Sequence, residues 1–443
     1  MIQKTLLTSD QLAENFADLH AAYPRDEAVT ESSRCLFCFD APCTRACPTH
    51  IDVPRFIRQI LHDNIAGAAE TIFSENIFGG SCARACPTEV LCEGACVDNT
   101  LLNEPVKIGR LQRYATDSTP ASFTPGPVTG KRIAVVGSGP AGLSCAYTLR
   151  RLGHAVTVFE ASDVPGGLNT LGIAAYKITT EFSLSEIDAI QAMDIEIRLG
   201  EYVDAVRLEE LRASYDAVFL GIGLGPTANL EIPGEDLGGV TEALEFIAQT
   251  HTGPFEECEV GQNVVVIGAG NTAIDVATEA VRLGAENVLI VYRRTSREMS
   301  AFAYEYELAK ADGVKFEWLA RPVKFLGENG VLSGVRVQRL ELVGEGRGAM
   351  LQVIPDSTFD IACDMAIKSL GQVALEPFLS EAADLKLDGG KVGIDASTGA
   401  TGVDGLFSGG DCTNKGAEIV DAVQDGKIAA FGIDVYLGGL GSL

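Results

Sequence analysis

Eight cysteines crowded into one segment constrain this chain more than any other feature of its sequence. They fall into two groups with short gaps between neighbours, a spacing that wraps the backbone around a compact centre. Eight thiolates suffice as ligands for two [4Fe-4S] clusters. The first group comprises Cys35, Cys38, Cys43 and Cys47, and the second comprises Cys82, Cys86, Cys92 and Cys96.

Zinc and disulfides compete with iron–sulfur clusters as the use of these cysteines. The Cys47-Pro48 ending of the first group is typical of bacterial two-cluster ferredoxins. Four-thiolate zinc sites usually pair cysteines across two-residue gaps, and only Cys35 and Cys38 are spaced in that way. The amino-terminal residues lack the apolar core of a secretory signal, which predicts a cytoplasmic protein, where disulfides rarely persist. We therefore predict two [4Fe-4S] clusters and keep zinc as the main alternative.

Length and charge exclude several classes of protein. At about 150 residues per domain, 443 residues predict roughly three domains, and 46% hydrophobic residues can give each a core. A formal net charge of −27 repels phosphate backbones and anionic lipid, so we expect neither nucleic acid nor a membrane surface as a partner. One uncharged run between Arg132 and Arg150 is too short to span a membrane and contains Pro140.

The first glycine-rich turn predicts a dinucleotide site. A strand-like segment at 133–136 leads into the sequence GSGPAG and a predicted helix. In this pattern Gly137 permits the tight turn, Gly139 lets the backbone approach a pyrophosphate, and Gly142 lets the helix pack on the strand. Glu160 ends the next strand, where a carboxylate can accept hydrogen bonds from ribose hydroxyls. The agreement of strand, spacing and acid favours a ligand site over an ordinary glycine turn.

A second copy of this pattern begins with a strand-like segment at 264–267 and the turn GAGNTA. Arg293 stands where the first copy has Glu160, and Arg294 follows it. Arginines there can pair with the 2′-phosphate of NADP, whereas a carboxylate favours the 2′-hydroxyl of NAD. The alternative is a solvated basic loop on an acidic protein. The predicted contacts within the turn are Gly268, Gly270, Asn271, Thr272 and Ala273.

Two more glycine motifs bear on which dinucleotide the first turn binds. GGL at 166–168 follows the first copy, and GGD at 409–411 lies near the carboxyl terminus. This layout resembles the two-dinucleotide flavoprotein reductases, in which a nicotinamide domain interrupts a flavin domain and a Gly-Asp strand closes over the flavin. The resemblance implies FAD at the first turn and NAD(P)H at the second. The additional candidate flavin contacts are Gly167, Leu168, Gly410 and Asp411.

These patterns predict an α/β fold with two Rossmann-like domains preceded by a helical iron–sulfur domain. Apolar stripes at 56–61 and 68–73 predict helices in the first domain, and residues 417–431 predict a last helix. Proline and glycine mark a linker. The predicted segments are 1–117 for the iron–sulfur domain, 118–131 for the linker, 132–255 and 371–443 for the FAD-binding domain, and 256–370 for the NAD(P)-binding domain.

Three runs of sequence carry a closer resemblance. They are RCLFCFDAPCTRACPTHID at 34–52, GGSCARACPTEVLCEGAC at 79–96 and PVKIGRLQRYATD at 105–117. Together they resemble the electron-input half of dihydropyrimidine dehydrogenase, which occurs in bacteria as a separate subunit, and more distantly the β subunit of glutamate synthase. The resemblance extends over essentially the whole chain.

This resemblance implies a division of the iron ligands that spacing alone does not give. One cluster would be bound by Cys35, Cys38, Cys43 and Cys96, and the other by Cys47, Cys86, Cys92 and Gln112. Cys82 would then be a spare thiol, although spacing alone selects it over Gln112. A neutral amide ligand removes one negative charge from the iron site and shifts its potential.

The resemblance also implies a function. NAD(P)H would reduce FAD, and the two clusters would pass the electrons to a partner subunit whose FMN reduces uracil or thymine. The chain ends after the predicted flavin-domain helix, so we expect a hetero-oligomer with that catalytic subunit. The separate bacterial subunit is associated with NADH, which conflicts with the arginines, and we leave NAD versus NADP open. The alternatives are a glutamate synthase β subunit or related NADPH:ferredoxin-type reductase, and a redox sensor without turnover.

The remaining cysteines and the histidines indicate no further chemistry. The other four cysteines lack a C-x-x-C partner, so we predict that they are buried small apolar residues. They are Cys145, Cys258, Cys363 and Cys412. The five histidines are scattered, and we assign no catalytic acid or base, because hydride transfer to a flavin requires none.

Overall fold

The structure is a computed structural model that describes residues 2–344, 348–382, 385–414 and 416–442. Contacts divide the chain into two compact units. The first unit consists of Met1–Asp18, Leu171–Lys177 and Pro226–Val373, and the second of Leu19–Thr170, Ile178–Gly225 and Ala374–Leu443. The cysteine segment and the first glycine turn therefore belong to the second unit, and the second glycine turn belongs to the first.

Short helices surround the cysteines. Asp52 caps the helix α4 (Val53–Leu61) by accepting a hydrogen bond from the Arg55 N–H, and Asn64 caps α5 (Ile65–Phe73) by accepting one from the Gly67 N–H. Their apolar stripes are buried, which confirms both predicted helices. The elements up to residue 118 are β1 (Gln3–Lys4), α1 (Ser9–Asn15), α2 (Arg25–Ser32), α3 (Pro42–Ala46), α4 (Val53–Leu61), α5 (Ile65–Phe73), α6 (Gly79–Ala85), α7 (Val97–Leu102) and α8 (Ile108–Ser118).

A strand–helix–strand unit follows the predicted linker. Its strands are short apolar runs, and the helix between them is nearly all buried because it lies against the sheet. The elements are β2 (Arg132–Val136), α9 (Pro140–Arg151), β3 (Ala155–Phe159), α10 (Leu168–Leu171), α11 (Thr180–Gln191), β4 (Glu196–Arg198), α12 (Ala205–Ser214) and β5 (Ala217–Leu220).

The first unit is built on a second parallel sheet. Its elements are β6 (Val240–Glu242), α13 (Ala243–Thr252), a 3₁₀ turn (Phe255–Glu257), β7 (Glu259–Val260), β8 (Asn263–Ile267), α14 (Asn271–Arg282), β9 (Asn287–Tyr292), α15 (Ala303–Ala311), β10 (Lys315–Trp318), β11 (Ala320–Glu328), β12 (Val331–Val343), β13 (Met350–Ala362) and β14 (Met365–Lys368). The parallel strands run in the order β10-β9-β8-β14-β6. Strands β11, β12 and β13 form a separate antiparallel sheet, and β1 pairs with β7.

The carboxyl-terminal elements complete the sheet of the second unit. They are α16 (Glu376–Glu381), β15 (Leu387–Asp388), β16 (Lys391–Val392), β17 (Leu406–Ser408), α17 (Asp411–Asn414) and α18 (Ile419–Tyr436). The parallel order is β17-β5-β2-β3-β4. Helix α18 packs closely on α9, since a Cβ on Gly426 would lie 2.2 Å from the Ala141 carbonyl oxygen.

The strands and helices of both glycine patterns are confirmed, and so is the α/β fold with two parallel sheets. The last helix is longer than the sequence predicts. It continues to Tyr436 because Ile433 is fully buried and the Asp434 carboxylate bonds the ring of His154 at 2.8 Å. Within the described residues, no helix combines the length and the apolarity that a membrane span requires.

Candidate cofactor sites

The first glycine turn leaves room for a ligand at one glycine only. Gly137 has a φ of +96°, and a Cβ on Gly142 would lie 1.9 Å from the Gly137 carbonyl oxygen, so both positions require glycine for the fold itself. A Cβ on Gly139, the N-cap of α9, would meet no described atom within 4 Å. The space at Gly139 therefore lies beside backbone N–H groups of a helix N-terminus, and these residues fit a pyrophosphate.

Glu160 lies directly beside this turn. One carboxylate oxygen accepts hydrogen bonds from the Ser138 N–H at 2.8 Å and the Ser138 hydroxyl at 2.6 Å. The other accepts from the Ser162 N–H at 2.8 Å. These bonds fix the orientation of the carboxylate, and the oxygen that accepts from Ser162 has a further lone pair for a ribose hydroxyl.

The two other glycine motifs come to the same place. A Cβ on Gly167 would lie 3.1 Å from Gly139 Cα, and a Cβ on Gly410 would lie 2.8 Å from Ala141 Cβ. Burial raises the pKa of Asp411, which follows Gly410 and accepts a hydrogen bond from the Ala417 N–H. Leu168, on the other motif, is 38% exposed. The tertiary structure thus joins segments that are far apart in the chain around one turn.

Asp425 also belongs to this region, although it lies in none of the predicted motifs. Its carboxylate accepts hydrogen bonds from the Gly410 N–H at 3.0 Å and from the Asn414 side chain at 3.2 Å. Asp425 is one of three aspartates on α18, and no motif distinguishes it from the other two.

The second glycine turn borders a cavity of about 870 Å³ in the first unit. Gly268 has a φ of +132°, and Ala273 is fully buried. Asn271 accepts a hydrogen bond from the Phe302 N–H at 3.0 Å, so its side chain stabilises the turn. The predicted residues that line the cavity are Gly268, Gly270, Thr272 and Arg293.

The two predicted phosphate-binding arginines lie in different surroundings. Arg293 lines the cavity, whereas the Arg294 guanidinium donates a hydrogen bond of 3.1 Å to the Ala349 carbonyl oxygen. Arg321, which lies outside the predicted motifs, also lines the cavity. Arg321 lies at the start of β11, far from the glycine turn in sequence, so no motif indicates it.

One group of cysteines surrounds a largely apolar cavity. The cavity walls include Val53, Ile57 and Val106. Burial raises the pKa of Cys43 to about 12, so without metal this thiol keeps its proton. The cysteines that line the cavity are Cys35, Cys38, Cys43 and Cys96, the set that the family resemblance assigns to one cluster.

The other cysteines lie deeper in the second unit. Cys82 is 3% exposed and accepts a hydrogen bond from the Asn76 amide. A hydrogen bond to Cys82 raises the pKa of Cys86, as do burial and the charges of Cys82, Cys92 and Cys47. These four cysteines are therefore neighbours. Within the described ranges, no three His, Cys, Asp or Glu side chains converge closely enough to hold a single metal ion.

Gln112 is held next to the helix of Cys82. It is 7% exposed, and its amide nitrogen donates a hydrogen bond of 2.7 Å to the carbonyl oxygen of Gly79, the first residue of α6. The amide nitrogen is used in this bond, whereas the amide oxygen is the atom that would coordinate an iron. Both candidates for the eighth ligand, Gln112 and Cys82, thus belong to the surroundings of α6.

The four remaining cysteines are buried, as predicted. They are Cys145, Cys258, Cys363 and Cys412.

Two family descriptions match the chain. Residues 12–122 match "dihydropyrimidine dehydrogenase domain II, 4Fe-4S cluster", and residues 131–426 match "pyridine nucleotide-disulphide oxidoreductase". These matches confirm the predicted iron–sulfur, flavin and nicotinamide chemistry.

Similar proteins are named as components of larger enzymes. The chain is 34% identical to the NADP(+)-dependent formate dehydrogenase subunit beta of Moorella thermoacetica over 90% of its own length, and it spans 60% of that relative. It is 32% identical to the glutamate synthase [NADPH] small chain of Escherichia coli (strain K12), covering 95% of this chain and 94% of the relative. It is 33% identical to the NAD-dependent dihydropyrimidine dehydrogenase subunit PreT of the same organism, covering 96% and 98%.

Among solved structures, Mycobacterium tuberculosis FprA in complex with NADPH is similar in fold. It matches with a TM-score of 0.58 and 20% identity, over 71% of this chain and 85% of FprA.

Proposed function

Because the chain belongs to the pyridine nucleotide-disulphide oxidoreductase family and is an NAD(P)H-dependent flavoprotein oxidoreductase with a [4Fe-4S] domain, we propose that it is the electron-input subunit of a dihydropyrimidine dehydrogenase. In this role it oxidises NAD(P)H and delivers electrons to a partner subunit that contains FMN and reduces uracil or thymine to the 5,6-dihydropyrimidine. The proposal is carried by the position of the candidate iron ligands, which lie in the same compact unit as the flavin-type turn.

The residues of the first unit bind and orient the nicotinamide nucleotide. The N-terminus of α14, behind Gly268 and Gly270, would hold the pyrophosphate, as in other turns of this type. Arg293 and Arg321 both line the cavity and together can bind a 2′-phosphate, which favours NADPH over NADH. Arg294 is a structural residue in this proposal, because its guanidinium is bonded to Ala349.

The residues of the second unit hold FAD and the clusters. The backbone at Gly139 would hold the pyrophosphate of FAD, and Glu160 would accept hydrogen bonds from its ribose. When bound, FAD would supply hydride acceptance from the nicotinamide, and the clusters would supply single-electron transfer away from the flavin. Seven of the clustered cysteines, with Gln112, bind the clusters in an apolar environment that limits contact with water, and Cys82 is the spare thiol.

A glutamate synthase small chain is the competing assignment. The chain covers 94% of such a relative at 32% identity, close to its similarity to the dihydropyrimidine dehydrogenase subunit. The chemistry within this chain would be the same, and only the partner would differ: a very large amidotransferase subunit in place of a pyrimidine-binding subunit.

Reconstitution with each partner tests the proposal. The anaerobically purified chain is expected to contain FAD, iron and inorganic sulfide and to reduce an artificial dye with NADPH. Adding an FMN-containing pyrimidine-reducing subunit should produce NADPH-dependent loss of uracil, measured by chromatography. If the chain reduces the dye but supports only glutamate formation with the amidotransferase subunit, the assignment to pyrimidine reduction is wrong. If it contains no flavin or sulfide, the whole proposal fails.

A further inference from the structure

Thr49 lies against one of the clustered cysteines in the second unit. Its hydroxyl oxygen is 3.3 Å from the sulfur of Cys47, and either atom can be the donor while the thiol keeps its proton. Thr49 is fully buried and Cys47 is buried, so bulk water does not compete for this contact. A thiolate has no proton and can only accept a hydrogen bond, so the Thr49 hydroxyl must be the donor whenever Cys47 is a metal ligand.

Lys427, on α18, holds the backbone of Thr49 from a distant part of the chain. Its ammonium group donates hydrogen bonds to the carbonyl oxygens of Thr49 at 3.4 Å and Glu75 at 3.2 Å. It also forms an ion pair of 2.9 Å with the Glu75 carboxylate. The side chain of Lys427 is 16% exposed, so water and salt screen its charge less than that of an exposed lysine. A partly buried cation therefore lies beside the segment that follows Cys47.

The residues just before Lys427 fix the position of α18. Asp425 accepts a hydrogen bond of 3.0 Å from the N–H of Gly410, in the GGD motif. Gly426, the next residue, lies so close to Ala141 on α9 that it has no room for a side chain. Three consecutive residues of α18 thus contact the GGD motif, α9 and the segment after the first cysteine group. These contacts determine where the Lys427 ammonium group lies, and through it the position of the Thr49 backbone.

We propose that Thr49 raises the reduction potential of the cluster bound by Cys47, and that Lys427 is its positioning residue. A hydrogen bond to a ligand sulfur and a nearby positive charge both stabilise the reduced cluster, which carries one more negative charge than the oxidised one. The hydroxyl acts through the Cys47 sulfur, and the lysine acts through its charge and through the Thr49 carbonyl oxygen. Both therefore change the potential of one cluster in the same direction. The inference rests on the proposed function only in assigning Cys47 as an iron ligand.

Paired variants of the full-length chain test both residues. Thr49→Val removes the hydroxyl with little change of shape, and Thr49→Ser keeps it. Lys427→Met removes the charge, and Lys427→Arg keeps it. Thr278→Val is the matched control for the threonine, because Thr278 is also fully buried and its hydroxyl has no hydrogen-bond partner in the part of the chain that the structure describes. Lys131→Met is the control for the lysine, since Lys131 is paired with Asp216 in the same unit.

The measurement is the midpoint potential of each cluster. Each protein is prepared anaerobically, its iron and sulfide are determined, and its clusters are reduced stepwise while electron paramagnetic resonance records the reduced fraction. Thr49→Val should keep both clusters and lower one potential, with the ratio of reduced to oxidised cluster at a fixed potential falling about tenfold, or about 59 mV for one electron. Lys427→Met should lower the same potential. Thr49→Ser, Lys427→Arg and both controls should titrate like the parent chain.

Other results would overturn the inference. If Thr49→Val keeps both clusters and neither potential changes, the hydroxyl does not act on a ligand sulfur. If both potentials fall equally, the effect is not local to Cys47 and the assignment is wrong. If Thr49→Val loses a cluster, Lys427→Met decides, and unchanged potentials in that variant refute the inference. If the parent chain itself contains no iron or sulfide, the proposed function fails, and that failure is visible before any variant is compared.

Discussion

The amide nitrogen of Gln112 lies 2.7 Å from the carbonyl oxygen of Gly79, so the only candidate iron ligand that is not a cysteine is hydrogen-bonded to the helix that carries Cys82. The bond orients the amide so that its nitrogen donates to Gly79, while its oxygen is the atom that would coordinate iron. It also brings the two competing eighth ligands into one small region, where their contributions can be compared directly.

Replacing Gln112 by Ala should damage one cluster and leave the other. The variant loses the amide oxygen and also the donor to the Gly79 carbonyl, so we expect iron and sulfide to fall to about half of the parent content, because one of two clusters is lost. Electron paramagnetic resonance of the reduced protein should retain the signal of the cluster bound by Cys35, Cys38, Cys43 and Cys96. Cys82→Ala is the matched comparison and should keep both clusters. Unchanged iron in Gln112→Ala together with a loss in Cys82→Ala would make Cys82 the ligand.

Replacing Gly139 by Val should remove FAD without unfolding the protein. A Cβ at this position meets no described protein atom within 4 Å, so the fold has space for it, whereas a bound pyrophosphate would not. We expect purified Gly139→Val to lack the yellow flavin absorbance and to have the circular dichroism spectrum of the parent. Gly253→Val places the same side chain at another open position, outside both glycine turns, and should retain FAD. A yellow Gly139→Val protein would refute the site.

Single substitutions of the two neighbouring arginines should have different effects. Arg293→Ala is expected to raise the KM for NADPH about tenfold or more, because a charge-assisted bond to a phosphate is worth about 1.5–3 kcal/mol, and to change the KM for NADH little. Arg321→Ala should act in the same direction. Arg294→Ala should affect both nucleotides equally, since Arg294 is bonded to Ala349 and does not line the cavity. Equal effects of Arg293→Ala on NADPH and NADH would remove the phosphate assignment.

The buried Glu279 should make the first unit less stable as the pH rises. Burial raises the pKa of its carboxyl group to about 8, against an ordinary value of 4.5. Between these values the folded protein keeps a proton that the unfolded chain has lost, so the free energy of unfolding falls with increasing pH, by at most about 1.4 kcal/mol per unit. Below the ordinary pKa both states are protonated and the effect disappears.

Glu279→Gln tests this expectation, since an amide is neutral at every pH. The decrease in Tm between pH 6 and pH 8, measured by differential scanning calorimetry, should be smaller in this variant than in the parent chain. Glu286→Gln, an exposed substitution close by in the sequence, should leave the decrease unchanged. A decrease in Glu279→Gln as large as that of the parent would show that Glu279 is ionised in the folded protein.

Both parallel βαβ units could be predicted because their signals are local. A strand needs a run of apolar residues, and the turn needs a glycine with positive φ such as Gly137 or Gly268, so a few neighbouring residues determine each unit. The cysteine spacing likewise indicates iron–sulfur chemistry without any knowledge of the fold. The domain boundaries and the division of the iron ligands remain predictions.

The contacts that distinguish neighbouring side chains depend on residues far apart in the chain. The sequence does not distinguish the roles of Arg293 and Arg294. The structure distinguishes them because the Arg294 guanidinium donates a hydrogen bond to the Ala349 carbonyl oxygen. Glu186 and Asn169 belong to no motif, yet both meet Ser81, roughly a hundred residues away. The sequence alone therefore determined the type of each site, because a glycine turn and the spacing of metal ligands depend on a few residues that are close together in the chain. The burial and hydrogen bonding of individual polar groups followed from packing, because they depend on which distant segments the folded chain brings together.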